Sequence, residues 1–142
     1  MTQIDFYTHA EDKVKTACRL AAKAFARELR MTVLCSDAAA AAQFDRALWI
    51  FSATGFVPHC LATDPLATVT PVVVDYDGSE SDHDDVLLNL RPEWPQVFSR
   101  FQRLIEIVSI EDEDRHRARE RYRFYRDRGY EIRSHDLSRF TK

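Results

Sequence analysis

Residues 3–35 read QIDFYTHAEDKVKTACRLAAKAFARELRMTVLC. Gln3-Ile4-Asp5-Phe6-Tyr7 alternates polar and apolar residues and ends in a polar break, the pattern of a strand. From about Glu11 to Leu29, apolar residues recur at Val14, Ala17, Cys18, Ala21, Ala24, Phe25 and Leu29. That three-and-four spacing makes an amphipathic helix. Met31-Thr32-Val33-Leu34-Cys35 is an almost unbroken apolar run, as expected for a strand covered on both faces. Strand, helix and strand within about 35 residues form a βαβ unit, so a parallel pair with a right-handed crossover is expected.

The same alternation continues. Ser36 and Asp37 open a second helix, which the alanine run 38–42 carries to about Trp49. Phe56 to Leu61 is a short edge segment, with Pro58 denying a full ladder. Thr70 to Tyr76, Val86 to Leu90 and Leu104 to Val108 read as strands. Pro92 and Pro95 introduce a short helix to about Arg103. Tyr130 to Arg133 is a last extended piece. The sum is one domain over residues 1–142, a three-layer α/β/α sandwich with a mostly parallel sheet.

Ser109 to Gly129, SIEDEDRHRARERYRFYRDRG, reads as one more helix. Ser109 with Asp112 is a start signal, acid fills the first turn, and Gly129 is a natural stop. Between Arg115 and Arg128 stand seven arginines and two acids, Glu120 and Asp127. Arg115, Arg119, Tyr122 and Arg126 fall on one stripe. Arg115 can pair with Glu111, and Arg117 with Glu113. Arg119 has only Arg115 and Arg123 at four residues either way. The stripe borders the one buried face in view, Ala118, Tyr122 and Tyr125. Two readings stay open at this level. One is a solvated helix with snorkelling arginines. The other is a site for an anionic partner that carries an apolar or aromatic group.

Composition narrows the function classes. The net charge is −3, which does not suit a general nucleic-acid coat. Three cysteines without a C-x-x-C pair point to reduced thiols. No leader is read before Asp5 and no apolar run approaches 18 residues, so a cytosolic protein is expected, without a membrane partner. The three glycines, Gly55, Gly78 and Gly129, cannot write a Rossmann or P-loop phosphate cradle. No cofactor is expected.

Asp82-His83-Asp84-Asp85 lacks the second cluster a metal site needs, and a solvated acidic loop is the better reading. His59 and Cys60 are adjacent on an extended segment and point to opposite faces, so they do not make a nucleophile pair. A buried Cys60 and an edge His59 are expected. Phe44 and Leu48 face the sheet. Trp49 and Phe56, around a loop containing Gly55, are either core or an exposed patch for a partner protein.

Four segments together resemble a known family, the chi subunit of bacterial DNA polymerase III holoenzyme. They are FYTHA near the start, FDRALWIFSATGFVPHCL at 44–61, DVLLNLR at 85–91 and RARERYRFYRDRGYEI at 117–132. The resemblance implies a non-enzymatic replication adaptor with an α/β/α fold. It implies two partners: the psi subunit of the clamp-loader complex, and the acidic, phenylalanine-ended C-terminal tail of single-stranded-DNA-binding protein. The pattern R-x-x-x-R-x-x-Y places tail recognition on Arg115, Arg119 and Tyr122, with Val108 and Gly129 nearby. The aromatic segment implicates Trp49 and Phe56 in the psi contact. DNA would be reached only through the coating protein. Phe124 stands where the family pattern has a smaller residue, so different packing behind the helix is expected. The alternative is a module that binds single-stranded nucleic acid directly through the arginines and Tyr122. A third is a small enzyme around His59 or His83.

Overall fold

The computed structural model describes residues 1–51, 56–77 and 83–139. Its strands are β1 (Gln3–Ala10), β2 (Met31–Leu34), β3 (His59–Leu61), β4 (Val72–Asp75), β5 (Val86–Asn89), β6 (Arg103–Ser109) and β7 (Ile132–Asp136). Its helices are α1 (Lys13–Ala26), α2 (Ala38–Ile50) and α3 (Asp112–Asp127). The strands form one sheet in the order β3-β4-β2-β5-β6-β1-β7, with every pairing parallel. The α/β/α expectation holds.

Local chemistry explains the elements. Asp12 caps α1 by accepting from the Lys15 amide at 3.0 Å, and Asp37 caps α2 through the Ala40 amide at 2.8 Å. β2, β4 and β5 are buried along their whole length, as their apolar runs require. One face of the sheet carries α1 and α2 over Met31, Val33, Val72, Val74, Leu88 and Ile107. The other carries α3 and the segment with Phe98 and Phe101 over Ile4, Phe6, Leu87, Leu104 and Val108.

Two expectations need correction. β1 and β2 lie parallel in one sheet but are not paired, because β6 and β5 stand between them. The βαβ rule fixes direction and handedness, whereas adjacency is settled by which distant strand bonds to β1. Here Ile4 pairs with Leu104 on one side and Ile132 on the other. The helix expected after Pro95 is only a 3-10 turn, Phe98–Arg100. Phe98 and Phe101 both turn into the core there, and the Phe101 amide closes the turn on Phe98 O at 3.1 Å before the chain extends into β6.

The β7 edge is strapped to β1 by a buried carboxylate. Asp5 accepts from Arg103 Nε at 2.7 Å and lies 2.9 Å from His135 Nε2. Burial alone would raise this carboxyl, but the His135 and Arg103 contacts outweigh it and hold Asp5 below the usual aspartate range.

Candidate functional site

The seat of α3 is polar at its start and in its middle. Ser109 still belongs to β6, so the start signal is displaced by two residues. Its Oγ accepts from the Glu111 amide at 3.3 Å, while Asp114, not Asp112, reaches back to the Ser109 amide at 2.8 Å. The other Asp114 oxygen takes Lys13 Nζ at 2.9 Å. Burial works to raise the Asp114 carboxyl, yet the Ser109 amide and Lys13 hold it below the usual range.

The buried face of α3 is Ala118, Arg121 and Tyr125, with Tyr122 half out. Arg121 is 1% exposed and Glu106 of β6 0%. Arg121 Nε donates to Glu106 Oε1 at 3.0 Å, and Tyr125 Oη to Oε2 at 2.6 Å. Asn89 Nδ2 adds a third donor at 3.1 Å. Burial raises the Glu106 carboxyl, against the Arg121 charge and the Tyr125 and Asn89 bonds. Burial and Glu106 together push the Tyr125 hydroxyl far above the tyrosine range. Helical periodicity hid this network, since Arg121 reads as one more surface arginine. The signal was Glu106 itself, a carboxylate in the middle of an apolar strand, which demands a buried partner.

Beside this seat, α3 and the ends of β1 and β6 enclose a hollow of about 280 Å³. Phe6, Val108 and Ala118 are buried and make its floor. Ala118 matters by its smallness, leaving room between Arg115 and Tyr122. Arg115, Arg119 and Tyr122 line one rim, and Thr8 and His9 another. Tyr122 is 37% exposed and stands edge-on to Phe6, ring centroids 5.4 Å apart. Arg115 lies 3.8 Å from Asp112, not against Glu111. Among the described residues, Arg119 has no ion-pair partner. Four of the five residues expected here, Val108, Arg115, Arg119 and Tyr122, thus meet in one hollow. Gly129 does not reach it. With φ of +84° it closes α3 instead, donating to Arg126 O at 2.9 Å while Tyr130 N donates to Tyr125 O at 3.2 Å.

The aromatic segment lies elsewhere. Trp49 and Phe56 are each 58% exposed, with ring centroids 5.1 Å apart. Both rest on the His59 ring, at 5.0 and 6.2 Å. His59 is therefore buried and Cys60 half-buried, the reverse of the expectation. His59 Nδ1 lies 2.7 Å from Val57 O, and Nε2 is 3.3 Å from Asp45 Oδ1. Of these contacts only that of Nδ1 is a hydrogen bond, so the ring is held inside from one nitrogen and by the two aromatic rings, while Cys60 turns to the other face. Gly55 lies outside the described residues.

The sequence matches the family described as DNA polymerase III chi subunit, HolC, over residues 1–133. It is 35% identical to the DNA polymerase III subunit chi of Pseudomonas aeruginosa over 143 residues, covering 98% of this chain and 99% of that one. It is 31% identical to the subunit chi of Escherichia coli, covering 92% and 88%, and 31% identical to that of Haemophilus influenzae, covering 82% and 81%. The chain belongs to the DNA polymerase III chi subunit family. Members of that family are accessory subunits of a replication polymerase.

Within this chi-family fold the hollow and the aromatic patch are well separated. β3 and β6 are four strand positions apart, roughly 19 Å at the usual spacing. Phe124, where different packing behind the helix is expected, is sandwiched between two side chains. Its ring stacks on Trp94, 3.8 Å between centroids, and Arg128 lies 3.9 Å over it. The acidic segment around His83 shows no metal-ligating group among the described residues. Instead His83 Nε2 lies 3.0 Å from Thr32 Oγ1 and Nδ1 accepts from the Asp85 amide. Asp82 and Gly78 lie outside the described residues. Cys18 and Cys35 are buried, and burial raises their thiols to about 11 and about 12. No described helix is long and apolar enough to cross a membrane.

Proposed function

We propose that this chain is a non-catalytic adaptor of the cytoplasmic replication machinery, with two protein partners. The hollow beside α3 takes the acidic, phenylalanine-ended C-terminal tail of single-stranded-DNA-binding protein. Carboxylates of the tail meet Arg115 and Arg119, and its terminal ring lies beside Tyr122 and Val108. The Trp49–Phe56 patch takes the psi subunit of the clamp-loader complex. The observation that carries the reading is the hollow itself, an apolar floor rimmed by Arg115, Arg119 and Tyr122. Gly129 supports it indirectly by ending the helix that carries the rim.

The competing reading, direct binding of single-stranded DNA, needs several stacking aromatics along a basic track. The rim of the hollow offers Tyr122 alone among its α3 residues. A band-shift with three samples separates the two. Bare DNA should bind weakly or not at all, and DNA coated with single-stranded-DNA-binding protein should be shifted further. Coated DNA whose protein lacks its last residues should not. Added salt should weaken the association, because rim contacts between arginine and carboxylate are screened. Tight binding to bare DNA, or no loss on removing the tail, rejects the adaptor reading.

A further inference from the structure

We infer that His9 is a third anion-contact residue of the hollow and makes its affinity for an acidic ligand rise as pH falls. The inference rests on the tail-binding reading and deepens it. Its basis is the rim opposite α3. β1 carries one residue more than β6 between Tyr7 and Ala10, since Tyr7 pairs with Ile107 and Ala10 with Ser109. Such a bulge re-aims the side chains it displaces, and bulges concentrate beside functional sites. His9 sits in it at φ of +63°, a left-handed conformation rare for residues other than glycine. A backbone held there must be over-determined by its surroundings.

Those surroundings orient the ring. Nδ1 lies 3.0 Å from Asp136 Oδ1 on β7 and 3.1 Å from Thr8 Oγ1. The Asp136 carboxylate, which only accepts, favours the neutral tautomer with its hydrogen on Nδ1. Nε2 is then the acceptor nitrogen of the neutral ring and becomes a donor when the ring takes a proton. Nε2 has no partner among the described residues, and the side chain is 51% exposed on the rim of the hollow. Toward an anionic ligand it is repulsive when neutral and a charge-assisted donor when protonated.

The charged groups around His9 set the coupling. Asp136 faces it from β7, and Arg115 and Arg119 line the same hollow from α3. An acidic ligand neutralises the two arginines and adds carboxylates. Binding therefore strengthens the hold of His9 on its proton, and the proton strengthens binding by the same factor.

The test is anisotropy with a labelled tetra-aspartyl-phenylalanine peptide at pH 8 and pH 6, at constant ionic strength. The peptide carboxylates stay ionised across that window. The unmodified protein should bind roughly three- to tenfold tighter at pH 6. His9→Asn, which tolerates the left-handed backbone but does not titrate, should lose that dependence, and His116→Gln on α3 should keep it. Independently of any variant, the NMR titration midpoint of the His9 ring should move up when peptide is added. A dependence that survives in His9→Asn, or a midpoint that does not move, overturns the inference. Sound binding with a flat profile overturns it alone. No binding at either pH rejects the tail-binding reading and this inference with it.

Discussion

At helical spacing Arg119 has Arg115 and Arg123 as its neighbours, and it lines the hollow without an acidic partner among the described residues. Exposed arginines are ordinarily tolerated as solvated charge. This one is distinguished by the apolar floor beneath it, so an anionic group docked there would gain both a charge contact and a surface to cover. Arg119→Ala should weaken binding of an acidic tail peptide by about 1.5–3 kcal/mol, the range for a hydrogen bond to a charged group. Calorimetry with that peptide measures it, and unchanged affinity would remove Arg119 from the site. Thermal stability should hold or rise slightly, because repulsion along the stripe is relieved.

At the scale of the element, α3 is positioned by carboxylates at its start and along its buried face. Glu106 anchors Arg121 and Tyr125 from below, and Asp114 ties the helix start to Ser109 and Lys13. Asp114→Ala should cost about 1–2 kcal/mol, a lost tie to a buried amide at a helix start. Because Asp114 titrates below its unfolded range in the folded state, its contribution is complete above the usual aspartate range and is lost as pH falls through the lowered value. The gap in urea midpoint between variant and parent should thus be widest at pH 6 and narrow toward pH 3. A gap independent of pH would mean that Asp114 acts by packing alone. Loosening this junction should also weaken the peptide contact, since Ser109 lines the hollow.

Across the whole molecule, the two proposed contacts use opposite layers of the sandwich. α2 and β3 carry the aromatic patch, while α3 with the ends of β1 and β6 carries the hollow. Residues this far apart with no shared partner act additively. Trp49→Ala should therefore impair co-purification with a psi-type partner and leave acidic-peptide affinity within about 0.5 kcal/mol of the parent. Since Trp49 is more than half exposed, the fold should survive the change. Full retention of the partner by a folded Trp49→Ala protein would make the residue a bystander. Loss of both contacts at once would mean that the two sites are coupled through the sheet.

The amino-acid sequence by itself determined what depends on local pattern. The apolar run of β2 announced a strand buried on both faces, the runs of β4 and β5 announced strands, and three-and-four spacing announced α1. Asp37 and Gly129 marked helix ends, and the stripe of Arg115, Arg119 and Tyr122 was visible at helical spacing. These are properties of a segment and its faces, so neighbouring residues suffice to encode them. Only the tertiary structure decided that β6 and β5 stand between β1 and β2, because strand pairing is made by backbone groups that every residue shares. It also decided that Arg121 is core and Tyr122 rim, since the partner that makes Arg121 buriable, Glu106, lies on another element. The same holds for His59, drawn inward beneath Trp49 and Phe56. His9 reached the hollow only through a bulge in β1 against β6. Burial of a polar side chain is a property of the pair it forms, and a pair distant in sequence is settled when the sheet assembles.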